Sequence, residues 1–390
     1  MIVATEAALA VVLLVAGALM VESFRRMRAT DLGVDADHVL TFSLDPSDTR
    51  VSTARAPAYV ARMLAAIESV PGVTSASVDG GGPLAGTARS TLEIVGRPPL
   101  PAGQAPPVLR HYVAPSHFRT LGIPLVRGRS FTESDVAGQA RVAIISETAA
   151  RRFWPGQDPI GQRVWFDGGS NFDRPDSSAE IVGIVGDVMY EPLDVDPNRS
   201  SFYTPYAQFT YAWRIYFVRV TGDPLAALPA IRRAVSGVDP DVPLNEVRSL
   251  DAMIGASWSR HRFDAWFFGT FALLALGLAV SGIYAVVAHG VAQRTRELGI
   301  RMALGLGPRG VLRLVVRDGM VFPLLGLVIG MAAARLTGNV LAASLYGVRP
   351  ESAFAGIAAA LVLAGAALLA CVVPAVRAAR IEPTTALRAD

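Results

Sequence analysis

Residues 266–288 run for 23 positions without a charged side chain, and no other feature restricts the fold of this chain as much. The hydrocarbon core of a bilayer is about 30 Å thick and takes roughly 20 helical residues to cross. A run of this length in a helix satisfies its own backbone hydrogen bonds, which an open strand in lipid could not do. Three further apolar stretches, residues 2–21, 320–334 and 354–373, read as spans of the same kind. Residues 320–334 are short for a span and extend back through Val315 and Val316, which sets Arg317 and Asp318 near an interface. Pro374 stands near the end of the fourth. The first stretch competes with a cleaved signal peptide. It lacks a basic start, and residues 22–28 offer no small-x-small cleavage site, so it reads as a retained helix.

Of the chain's residues 52% are hydrophobic, and the excess lies in these four stretches. Between the first two, residues 29–260 read as ordinary water-exposed sequence, with 21 Arg against 25 Asp plus Glu, a net charge of −4. The whole chain is +3, so the positive excess flanks the membrane segments. That placement speaks for bilayer topology and against a nucleic-acid surface. All 36 basic residues are arginine. A lysine P-loop, a lysine Schiff base and a lysine general base are thereby excluded from this sequence. The single cysteine, Cys371, rules out an intramolecular disulfide.

Orientation follows from the arginines. The loop after the second span holds Arg294, Arg296, Arg301, Arg309 and Arg313 against one acid, Glu297, and the tail holds Arg377, Arg380 and Arg388. Both read as cytoplasmic. The loop of residues 338–352, with only Arg349 and Glu351, reads as external, which places residues 29–260 outside and the N-terminus inside. Arg25, Arg26 and Arg28, just after the first span, oppose this order. Glu6 is an ionisable residue within a span and reads either as functional or as lying at the cytoplasmic interface. Gly326, Gly330 and Ala334 recur at four-residue spacing, a face that permits close helix approach.

The expected fold is an α-helical membrane protein of four spans with an inserted α+β extracytoplasmic domain. Its parts are residues 1–28 (first helix and exit), 29–260 (outer domain) and 261–390 (three helices). Within the outer domain, strand-like residues 39–44, an amphipathic helix at 52–68 and a strand at 73–78 open as β-α-β. A short strand at 91–95 follows, then a Pro-rich loop at 98–107. Strands at 108–113, 141–145, 162–166 and 179–185 accompany helices at 115–121 and 147–153. A strand at 214–220, a helix at 225–235 and a strand at 244–247 return to the opening texture. One subdomain split over residues 38–95 and 212–250, with a second inserted at 108–205, accounts for this order.

No catalytic constellation stands out. The five histidines include His111 and His117, six apart across a strand–helix change, with no HExxH and no Cys/His spacing for zinc. Asp194 and Asp196 fall in a turn-like Pro/Asn stretch. Neither a catalytic residue, a metal site nor a cofactor is expected.

The run Gln293-Arg294-Thr295-Arg296-Glu297-Leu298-Gly299-Ile300-Arg301-Met302-Ala303-Leu304-Gly305 resembles the cytoplasmic loop of the FtsX-like, MacB-type permeases of ATP-binding-cassette systems. The ending from Pro374 to Arg388 resembles that family's C-terminal signature, and the stretches His117–Arg129, Arg151–Gly161 and Val182–Val188 resemble its periplasmic core domain. The resemblance is nearest to the second unit of the duplicated permeases. It implies an inner-membrane permease unit that dimerises or pairs with a second unit, couples to a separate cytoplasmic ATPase, and meets an envelope adaptor. Export and force transmission across the membrane are both open under it. Arg294, Arg296, Glu297, Gly299, Arg301 and Gly305 are the expected ATPase-coupling residues, and Gly326, Gly330 and Ala334 the packing residues. Residues 294–304 read as a short helix with Ile300, Ala303 and Leu304 on an apolar face. A non-transporting scaffold or sensor that binds an envelope partner needs the same helices and no ATPase, and stays open beside the permease.

Overall fold

The computed structural model of the chain describes residues 2–45, 55–83, 86–98, 106–167, 178–190, 200–208, 214–304, 306–341 and 353–379. Helix α1 (Ile2–Ala29) comes first, followed by β1 (Val39–Ser43), α2 (Ala56–Glu68), β2 (Val73–Asp79) and β3 (Ala88–Ile94). Next are β4 (Pro107–Val113), α3 (His117–Leu121), β5 (Leu125–Gly128), β6 (Val142–Ser146), α4 (Glu147–Phe153), β7 (Arg163–Asp167) and β8 (Ala179–Val185). Strands β9 (Ser201–Pro205) and β10 (Ile215–Val220), helix α5 (Pro224–Val238), β11 (Asn245–Ser249) and α6 (Leu250–Ser257) close the outer portion. Helices α7 (Ser259–Gln293), α8 (Thr295–Ala303), α9 (Pro308–Leu341) and α10 (Ala353–Ala379) complete the chain. These elements form two compact units, Met1–Thr30 with Ser259–Asp390, and Asp31–Trp258.

In the first unit α1, α7, α9 and α10 are each long and apolar enough to cross a membrane. Helix α1 packs against the other three, and α10 packs against α7 and α9. The inner face of α1 is built from small side chains, Ala7, Ala10 and Val11 among them, which lets its neighbours come close. The third span is longer than hydropathy alone marks: α9 begins at Pro308 and continues as helix through Arg309, Arg313 and Arg317. Hydropathy locates the lipid-crossing part of a helix, whereas the helix itself continues into the interface wherever no breaker intervenes.

In the second unit a four-stranded antiparallel sheet has the order β11-β1-β10-β2. Strand β10 is central, with Phe42 opposite Tyr216 on β1 and Val78 opposite Tyr216 on β2. Helices α2 and α5 supply Met63, Ile67, Ile231 and Val235 to a core shared with Leu40, Phe42 and Val218. Asp223 starts α5 by accepting from the Leu225 amide, at 3.0 Å.

A mixed sheet of order β5-β8-β6-β9-β4-β3-β7 forms the remainder, and β7 also pairs with β8. The strands β8-β6-β9-β4-β3-β7 therefore close into a ring around Ile145, Phe153, Trp154, Phe166 and Phe202. Ser146 Oγ accepts from both the Ala149 and Ser201 amides at 3.2 Å, so one hydroxyl caps α4 and holds β9 against β6.

One strand lies elsewhere than expected. The segment at 91–95 was placed with the residue 38–95 part, but β3 pairs with β4 and β7 in the larger sheet. Period-two alternation shows that a strand exists without naming its partner. Here β3 passes over the nearer strand β2 to pair with β4 and β7, and Leu92 is buried in the larger sheet's core. Strands β5 and β9 and helix α6 were not anticipated. Strand β9 is buried along its whole length between β6 and β4, so it carries no polar face to alternate. The tip of the 98–107 loop, Asp194 and Asp196, Arg349 and Glu351, Gly305, and Arg380 and Arg388 lie outside the described residues.

Candidate functional site

Helix α7 ends where Arg294 leaves helical geometry, at φ −105° and ψ 15°. Just beyond, the Thr295 hydroxyl donates back to the carbonyls of Val291 (3.0 Å) and Ala292 (2.9 Å). The chain then turns into α8 and, after Gly307, into α9. Helix α8 is therefore a short bar joining two membrane helices. Its inward face is made by Leu298 and Met302, one helical turn apart. Leu298 is buried with Ile283, Val287, Val311, Val315 and Cys371, which come from α7, α9 and α10. Below α8 lies a cavity of about 210 Å³, bordered by Val3, Gly290, Leu298, Asp318 and Phe322 among others.

The outer side of α8 carries the charges. Arg301 pairs with Glu297 at 2.5 Å, and Arg294 reaches Asp318 on α9 at 3.5 Å. Both pairs are exposed and contribute little to stability. Arg296 is exposed, and Gly299 lies within α8. Ile300 is 44% and Leu304 83% exposed, so two large apolar side chains stand uncovered by the rest of the chain beside the arginines. The inward pair Leu298 and Met302 escaped the sequence reading, because Ile300 and Leu304 repeat at the same four-residue spacing.

The packing residues lie elsewhere, on α9. A Cβ on Gly326 would lie 2.6 Å from the Ala4 carbonyl oxygen and the Ala7 Cβ, and one on Gly330 would lie 2.7 Å from the Ala8 oxygen and the Val11 Cβ. Ala334 is buried in the same seam against α1. Gly330→Leu is expected to lower the thermal midpoint of the detergent-solubilised chain, because overpacking typically costs about 1–3 kcal/mol and here the clash is with backbone. Gly326→Leu should act alike, and an unchanged midpoint for both would remove the seam from the account. Glu6 on α1 faces Gly282 of α7, where a Cβ would lie 2.5 Å from its carboxyl, and its buried Oε2 has no hydrogen-bond partner among the described residues.

A buried polar centre joins the two sheets of the outer domain. Asp79, at the end of β2, accepts from the Tyr112 amide at 3.3 Å and bonds His111 Nδ1 at 2.9 Å. Ser77 Oγ bonds His117 Nδ1 at 3.2 Å, and the Ser116 hydroxyl donates to the Ala76 carbonyl. The Tyr190 ring lies 3.8 Å from that of His111. Strand alternation sends Arg110 to the other face of β4, over the Phe166 ring at 4.6 Å. Burial pushes the Tyr190 and Tyr203 hydroxyls above their ordinary range.

Burial also lowers His117 to about 4, with Asp79 opposing the shift and His111 adding to it. A histidine held below its unfolded value of about 6.5 binds its proton first in the unfolded chain. Its contribution is complete above that value and is lost as pH falls toward 4. A loss on the order of 3 kcal/mol across this window is expected, read as a falling denaturation midpoint of the outer domain, and His117→Asn should flatten it.

Among the described residues no group of three or more His, Cys, Asp or Glu side chains could hold a metal. Residues 7–238 match the MacB-like periplasmic core domain, and residues 269–383 match the FtsX-like permease C-terminal domain. The chain belongs to the MacB/FtsX-like ABC transporter permease family. As a member of this family it is a multi-pass inner-membrane protein whose large domain is periplasmic.

Among curated relatives, a macrolide export ATP-binding/permease protein MacB of Marinobacter nauticus is 24% identical over 280 residues, 68% of this chain and 41% of that protein. A MacB of Azoarcus sp. is 26% identical over 68% of this chain and 40% of its own length. A pyoverdine export ATP-binding/permease protein PvdT of Pseudomonas syringae pv. tomato is 25% identical over 70% and 42%. The chain spans about two fifths of the length of the curated relatives it matches. The crystal structure of the periplasmic region of MacB from Actinobacillus actinomycetemcomitans aligns at 13% identity and TM-score 0.38, over 60% of this chain and 98% of that one.

Proposed function

We propose that this chain is the permease subunit of an ABC-type efflux or mechanotransmission system, driven by a separate cytoplasmic ATPase that docks on α8. The observation that carries the reading is the two-sided character of α8. Leu298 is rooted among three membrane helices, while Ile300 and Leu304 are left uncovered beside Arg296 and the Arg301–Glu297 pair. A bar anchored on one side and apolar on the other passes a push from a partner into α7 and α9 together. Exposed large apolar groups rimmed by charge are the usual make-up of a protein contact.

The named relatives export macrolides or pyoverdine, and export of a comparable small molecule is one outcome of such coupling. Transmission of force to the periplasmic domain is the other. In either case the working assembly holds two permease units, from one chain type or two, with an envelope adaptor as a further partner. Affinity purification of the tagged chain from native membranes tests the reading. A cassette ATPase is expected to co-purify in stoichiometric amount. Its absence under conditions that preserve other membrane complexes would favour a scaffold or sensor.

A further inference from the structure

The outer ends of α1 and α7 carry arginines where a membrane protein ordinarily avoids them. On α1 these are Arg25, Arg26 and Arg28, and on α7 Arg262. Glu22 is shared by Arg25 at 3.9 Å and Arg26 at 2.9 Å, so one carboxylate serves two guanidinium groups. Among the described residues Arg262 has no carboxylate within ion-pair distance.

Directly beside this charge, α1, α7 and α10 enclose an apolar cavity of about 590 Å³. Its walls are small, with Gly17, Ala18, Ala265, Gly269 and Ala272 among them, and Arg25, Arg262 and the one carboxylate Glu22 border it, which leaves the mouth net positive. Trp266, 73% exposed, stands at the same end, as aromatic side chains do at a headgroup layer. A Cβ on Gly269 would meet nothing within 4 Å, so the slot is open at its middle.

We propose that this groove holds one anionic phospholipid of the outer leaflet, its acyl chain between α1, α7 and α10 and its headgroup between Arg25 and Arg262. The charge decides the occupant. The slot has apolar walls and a positive mouth at interface level, which complements an amphiphile with an acidic head. Guanidinium groups bind phosphate oxygens with directed hydrogen bonds. A second copy of this chain in the same membrane would bring its own arginines to the same level, like charge against like, which disfavours it in this slot. The lipid would supply the counter-charge that Arg262 lacks among the described residues. It would also fill the space between the helix that enters the periplasmic domain and the one that leaves it.

Native mass spectrometry of the full-length chain in mild detergent, titrated with phosphatidylglycerol or phosphatidylcholine, tests this. Phosphatidylglycerol is expected to bind tightly at one lipid per chain and phosphatidylcholine weakly. Arg25→Gln with Arg262→Gln should weaken phosphatidylglycerol about tenfold or more and leave phosphatidylcholine unchanged. Gly269→Leu, whose Cβ enters open space and whose branched end would occupy the slot, should weaken both. Equal binding of the two lipids, or unaltered selectivity in the double variant, would overturn the assignment. A Gly269→Cys chain that forms disulfide-linked dimers in membranes, at a yield insensitive to added phosphatidylglycerol, would give the groove to a second copy instead.

Discussion

Asp79→Ala is expected to destabilise the periplasmic domain by about 3–5 kcal/mol, a large part of the 5–15 kcal/mol that holds an ordinary domain together. The carboxyl is fully buried and serves two partners, His111 Nδ1 at 2.9 Å and the Tyr112 amide at 3.3 Å. Alanine strands both without admitting water, and a buried group left unpaired costs about 1–3 kcal/mol, more where charge is involved. The neighbours cannot compensate, because His117 is held by Ser77 and the ring of Tyr190 covers His111. Asp79→Asn keeps the shape and one acceptor, so it should cost less. Denaturant unfolding of the purified chain, followed through the buried Trp154, measures both. Membrane insertion should be unaffected. A change below about 1 kcal/mol for the alanine variant would show that the centre is not a structural joint between the sheets.

This joint was out of reach of the sequence for a physical reason. His111 and His117 are visible in it, but Asp79 lies 32 residues before His111, and nothing local announces the pairing. Burial of a polar group is decided by which strands meet, and strand partners are not encoded in alternation. The same limit misplaced β3. Where the signal is local, the reading was close: α4 occupies residues 147–153 because Ser146 caps it and the chain turns at Trp154 just before Pro155-Gly156. The apolar spans were legible from length and absence of charge alone. The inner and outer faces of α8 were harder, because Leu298, Ile300, Met302 and Leu304 are all apolar at two-residue steps. Only the packed bundle distinguishes the buried pair from the exposed one.

That distinction sets up the second large effect. Ile300→Glu combined with Leu304→Glu is expected to abolish ATPase co-purification, a loss of about a hundredfold or more in association. Each side chain is an exposed apolar group on a cytoplasmic helix, and central groups of an interface commonly contribute about 2 kcal/mol or more apiece. A carboxylate in their place would be buried without a partner on docking, which adds a desolvation penalty. The fold of the chain should survive, because neither side chain is packed against the rest of it and Leu298 keeps its seat. Glutamate also differs little from leucine in helix propensity. Glu297→Arg provides the graded comparison. It removes the exposed pair with Arg301, worth only about 0.2–0.5 kcal/mol to the helix, and adds like charge beside Arg294, Arg296 and Arg301. Its effect on association should be clear but smaller than that of the double variant, with insertion and protein level near normal. Leu298→Ala should lower the stability of the bundle as well as docking, since it empties a packed position. If the double variant at matched protein level still retains its ATPase and any dependent export or stress phenotype, α8 is not the docking element. The exposed pair would then be a membrane-surface anchor, and the scaffold or sensor reading would take precedence.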